Sequence, residues 1–118
     1  MLIANLILLA NPVLAEQLSE FLPPEIAIKQ ARDMISAGLK DPYSVKYEGL
    51  TARVVPNARR EPTQMVCGTV NAKNSYGAYV GAVHFVHFVK LRITYMRDGQ
   101  SVVADSIVND FCSRSEFR

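Results

Sequence analysis

The chain has 118 residues, the length of a single domain. Lys and Arg number 13 and Asp and Glu 11, and the net charge of +2 excludes the strong electrostatic footprint of a dedicated nucleic-acid binder. With 49% hydrophobic and 20% charged residues the composition is globular, and two cysteines are too few for a disulfide-built miniprotein or an all-cysteine zinc site.

Residues 1–15, MLIANLILLANPVLA, carry no charge. The apolar run Leu2–Ala10 has the length of a signal-peptide h-region, and Asn11-Pro12 breaks any helix after it. Val13-Leu14-Ala15 fits a small-x-small cleavage pattern, with Glu16 as the first mature residue. A basic n-region is missing. The run is also too short for a membrane-spanning helix, which needs about 20 apolar residues. The pattern predicts export to the periplasm or beyond, a signal peptide over 1–15, and a single small domain over 16–118. In an oxidising compartment Cys67 and Cys112 are expected to join. Chain-entropy reasoning assigns such a long-range bridge about 4 kcal/mol. Two buried free thiols are the alternative expected in a reducing compartment.

Pro23-Pro24 opens the next element, and proline is tolerated in a first helical turn. Ala27, Ala31, Met34, Ile35 and Gly38 recur at helical spacing, while Lys29, Arg32, Asp33 and Ser36 take the other face. The spacing predicts a helix over about 24–39, stopped by Gly38 and Asp41-Pro42. Val45, Tyr47, Leu50, Ala52 and Val54 then alternate with a phase slip at Gly49, which predicts a strand with a β-bulge. Residues 56–62 form a polar loop. A second strand is predicted over Gln64–Ala72, followed by the glycine-containing loop KNSYGAYVG.

Residues 83–97 are dense in Val, Phe, Ile and Tyr and predict a long third strand, and residues 101–112 a fourth. A two-residue turn at Asp98-Gly99 would pair them, setting Arg92 opposite Asp105 and His87 opposite Asp110. The expected fold is α+β, an N-terminal helix packed on a four-stranded antiparallel sheet. Its disulfide would join strand two to the end of strand four.

Few residues mark chemistry. His84 and His87 point to opposite faces of a strand, so no metal site is expected there. A buried His87–Asp110 pair would orient the imidazole and raise its pKa, but no nucleophile or substrate pocket is marked beside it. Arg53, Arg59 and Arg60 read as a solvated loop cluster beside Glu61. No phosphate-loop, dinucleotide, zinc-protease or nucleophile-elbow motif is present, and no cofactor is expected. The segment from Cys67 to Gly81 is the most unusual. Asn71, Lys73, Asn74, Tyr76 and Tyr79 combine amides, a lysine and two aromatics in one turn, a good recognition surface. The plainer reading is a hairpin connection whose asparagines satisfy the turn and whose tyrosines cap the core.

Residues 39–47, LKDPYSVKY, and 67–81, CGTVNAKNSYGAYVG, with Phe85 beyond them, carry a resemblance. The chain resembles small exported bacterial proteins of lipoprotein or prophage type. Their pattern is a helix ending near LKDPxSAKF, followed by CGxVNAKNSYGGYxGxxxF. The likeness spans about residues 30–85 and departs at Val45, Tyr47 and Ala78. It implies export and a shared fold, and no activity. The expectation is a non-enzymatic binding module or inhibitor that meets a protein or envelope component through the 71–79 loop. A structural envelope component without a ligand, and more remotely an enzyme using His87 and Asp110, are the alternatives. Exposed tyrosines beside Lys73 would favour the first, and buried ones the second.

Overall fold

A computed structural model describes residues 21–113, and the cleavable segment expected over 1–15 lies outside them. Helix α1, Pro24–Ala37, begins with proline in its first turn and stops at Gly38, one turn earlier than Asp41-Pro42 alone would force. Ala27, Ala31 and Ile35 form its buried stripe. Two small alanines let the helix sit close on the sheet, where they meet Val66, Val70, Phe85 and Val89. Polar clamps fix its ends. Gln64 brackets Leu22, accepting from its N–H at 2.9 Å and donating to its carbonyl at 2.7 Å. Tyr47 donates its hydroxyl proton to the Arg32 carbonyl at 3.0 Å and lies 2.6 Å from Ser36 Oγ.

The sheet is antiparallel and a simple meander, β1-β2-β3-β4. Its strands are β1, Lys46–Pro56, β2, Pro62–Asn71, β3, Val83–Phe88, and β4, Ile93–Met96. The predicted bulge is present. The β1–β2 register shifts between Glu48 and Thr51, and Gly49 takes φ 63. Opposite it, a Cβ on Gly68 would stand 2.5 Å from Leu50 Cδ2, so the bulge packs Leu50 into the space that glycine leaves.

The C-terminal third differs from expectation. The segment predicted as one long third strand is split into β3 and β4 by a turn over residues 89–92, with Phe88 facing Ile93. Arg92 takes φ 55 in that turn, a conformation that sequence usually announces with Gly or Asn. The segment predicted as a fourth strand is instead helix α2, Val102–Val108, running into a π-helical turn, Asn109–Ser113. Ser101 caps α2, its Oγ accepting from Ala104 N at 3.2 Å. Helical spacing brings Ile107, Val108 and Phe111 to one side, whereas Val102 and Val103 stay exposed. Burial of that stripe outweighs the weak strand preference of the two valines. Asp98-Gly99 does turn the chain, but from β4 into α2, so Arg92 never meets Asp105 across a ladder.

The sheet therefore has a helix on each face. The α2 face holds Val55, Met65, Val86, Phe88 and Val108. Phe88 and Phe111 meet edge to face there at 5.0 Å. The disulfide Cys67–Cys112 forms across a sequence separation of 45 with a Cα separation of 5.8 Å. It ties the π-helical turn, not a fourth strand, to β2.

Candidate functional site

The loop between β2 and β3 projects from one end of the sheet. Lys73 and Tyr79 form an isolated antiparallel bridge that narrows it, and Val80 N–H bonds the Ala72 carbonyl at 3.2 Å. Asn74 builds the tip: its Oδ1 accepts from Tyr76 N at 2.9 Å and Ala78 N at 3.1 Å. Asn71 Oδ1 accepts from Gly81 N at 3.0 Å. Both asparagines thus serve the backbone, as the plainer reading expects.

The tyrosines divide into two roles. Tyr79 is a post. Its hydroxyl donates to the Ser44 carbonyl at 2.8 Å. Lys46 Nζ lies 4.3 Å and Lys73 Nζ 5.4 Å from its ring centroid, so the ring's negative face holds both ammoniums at the base of the loop. Tyr76, at the tip, is 95% exposed. Tyr43 is 98% exposed on a short 3-10 turn, Pro42–Ser44, next to the Ser44 carbonyl that anchors Tyr79. Lys40 Nζ reaches Ser75 Oγ at 3.1 Å and joins that turn to the loop. The surface gathers Lys40, Lys46 and Lys73 around a braced loop and leaves two aromatic rings open to solvent. None of the three lysines forms an ion pair with a described residue.

Sequence reading finds Lys73, Tyr76 and Tyr79 but misses Lys40, Tyr43, Lys46 and Val80. Lys40, Tyr43 and Lys46 arrive through the pairing of Lys46 with Asn71 and through the turn before β1, whereas Val80 lies in the loop itself. One signal was available: the chain has no charge between Lys73 and Lys90.

The expected His87–Asp110 pair takes a different form. His87 is fully buried on the α1 face, where its ladder partner is Thr94. Nε2 donates to Gln30 Oε1 at 2.7 Å, and Nδ1 accepts from the Thr94 hydroxyl at 2.8 Å. Asp110 lies on the π-helical turn instead of on a paired strand. Burial first, and the positive charge of Arg92 second, push the His87 pKa below its ordinary value, opposite to the rise a carboxylate partner would cause. The ring is held by two neutral groups, an arrangement that joins α1, β3 and β4 but gives the imidazole no acid to work with.

Among the described residues no group of three or more His, Cys, Asp and Glu side chains gathers to hold a metal. No described helix is long and apolar enough to cross a membrane. At the Pro62 end of β2, away from the loop, an apolar cavity of about 750 Å³ lies among Phe21, Phe88, Leu91, Tyr95, Ile107 and Phe111. Compared with known proteins, the chain matches no family model, no curated protein and no solved structure.

Proposed function

We propose that the chain is a small exported, non-enzymatic binding module that meets a protein or cell-envelope component through the 71–79 loop and the 3-10 turn beside it. The observation that carries this reading is Tyr76, 95% exposed at the tip of a loop whose backbone Asn74 holds in place. Asn74 fixes the backbone that carries this aromatic, so binding would have to order the ring but not the loop beneath it. Tyr43 doubles the open aromatic surface. Recognition of this kind uses exposed side chains on a fixed backbone and needs no cofactor. The Cys67–Cys112 disulfide supports export, since such bonds persist in oxidising compartments, and so does the uncharged stretch 1–15.

The test compares wild type with a Tyr43→Ala, Tyr76→Ala double variant for association with isolated envelope material. Both side chains are exposed, so the fold is expected to survive their loss. Two interface tyrosines are worth enough that association should weaken by about tenfold or more. Equal association of the two proteins would sink the reading.

A further inference from the structure

We propose that the apolar cavity at the Pro62 end of β2 is the dock for the chain's own segment 16–20, with Leu18 as the side chain it receives. The inference goes beyond the binding-module reading and does not rest on it. The cavity measures about 750 Å³ and is walled by aromatic rings. Phe88 meets Phe111 edge to face at 5.0 Å and Tyr95 at 6.0 Å. Apolar surface of this extent gains free energy when it is covered. The described chain starts at the wall of the cavity. Phe21, its first residue, lines the space, and so does Gln64. Gln64 is itself buried, and its amide holds both backbone groups of Leu22, at 2.9 and 2.7 Å. The stretch before Phe21 is therefore tethered beside the cavity at a fixed point.

Reach and sequence select the occupant. Leu18 stands three residues before Phe21, and three residues span at most about 10 Å, comparable with the width of such a cavity. In the segment Glu-Gln-Leu-Ser-Glu it is the sole apolar side chain. Glu61 and Lys90 line the cavity with opposite signs, so apolar burial selects the occupant and charge does not. The cleavage expected after Ala15 leaves Leu18 on the chain. A short tether also holds its end at an effective concentration of the order of millimolar, which a diffusing apolar ligand would have to outcompete. The other end of the chain, residues 114–118, carries Phe117. It leaves from Cys112, which the disulfide holds at Cys67, three residues along β2 from Gln64.

The chain contains no tryptophan, so Leu18→Trp in the full chain provides a single fluorescent reporter. Its emission should lie at the shorter wavelength of a buried indole and resist quenching by acrylamide. Leu91 is on the cavity wall and 66% exposed, so changing it should spare the fold. Adding Leu91→Asp should move the emission to longer wavelength. Val80→Asp, 62% exposed at the Asn71 end of β2, should leave it unchanged. A second measurement tests the natural leucine with N-phenylnaphthylamine, a neutral apolar dye. The full chain carrying Leu18→Asp should bind the dye about tenfold more tightly than wild type, as when a site occupied about nine-tenths of the time is freed. Leu91→Asp on top should remove that gain. Solvent-like emission, or a buried emission that Leu91→Asp does not move, would overturn the proposal. Equal dye binding by wild type and Leu18→Asp would overturn it too, leaving the cavity to a ligand or to another cover. A gain in Phe117→Ala in place of Leu18→Asp would assign the cavity to residues 114–118 and likewise overturn it. The tyrosine double variant is read separately, so either reading can fall without the other.

Discussion

At the residue scale, His87 connects burial to pH. Its ring has no contact with water, and the neutral form satisfies both neighbours, donating to Gln30 and accepting from Thr94. A proton on Nδ1 would turn that acceptor into a donor and place a charge beside Arg92 in a dry site. The folded pKa therefore lies below the ordinary 6.5, and as pH falls the unfolded chain takes the proton first. The stability linked to His87 is complete above about pH 6.5 and declines as pH drops from there through the depressed folded value. Melting at about pH 7.5 and about pH 5.5 should show a loss in the acid sample, smaller in His87→Gln, which cannot titrate. The variant itself should cost about 1–3 kcal/mol, because its partners lose a matched bond. An identical pH dependence in both proteins would count against the linkage. The burial of His87 was legible from the apolar residues on either side of it. Its partners were not, because they depend on where the next hairpin turns.

At the element scale, β1 and β2 are fitted to each other by one residue pair. The bulge needs Gly49 at positive φ, and the Leu50 that it swings inward needs the missing side chain of Gly68. Gly68→Ala would place its Cβ against Leu50 Cδ2 and also 3.1 Å from the Glu48 carbonyl oxygen. The leucine tip can move but the backbone can do so less easily, so we expect a loss of about 1–3 kcal/mol in urea unfolding. Adding Leu50→Ala should couple with it, the double variant losing less than the sum of the two singles, as expected for residues in contact. Strict additivity would mean that the two do not meet. The bulge could be read in the sequence because a glycine and a phase slip coincide. Helix α1 was legible through its alanine stripe and flanking prolines. The β3–β4 turn was not, because its residues 89–92, Val-Lys-Leu-Arg, include no usual turn former and Arg92 accepts positive φ under tertiary constraint. Helix α2 was misread because Val102 and Val103 favour strand, although Ser101 offered a capping signal three residues before Ala104.

At the scale of the whole molecule, the sheet separates two apolar layers of unequal support. The α1 layer is secured by side-chain clamps at both ends of the helix. On the other side α2 is one short helix, fastened by Cys67–Cys112 and by the bond from Arg97 Nη1 to Asn109 Oδ1 at 2.6 Å. Reduction, or Cys67→Ser with Cys112→Ser, should cost about 2–5 kcal/mol and lower the melting temperature accordingly. Hydrogen exchange should show α2 losing protection before α1 does. Unchanged melting after complete reduction would contradict that role. The disulfide pairing was legible from two cysteines in a chain expected to be exported. The convergence of Lys40, Tyr43 and Lys46 on the loop was not, because it depends on strand register. The bulged strand β1 has one further consequence. It is an edge of the sheet, and an open edge is a template for another copy's backbone. Here the edge starts with Lys46, kinks at Gly49, carries Arg53 and ends at Pro56. The bulge and these residues interrupt the row of outward amides and carbonyls that a neighbour could pair with, so the same irregularity that fits Leu50 into the core also works against edge-to-edge aggregation.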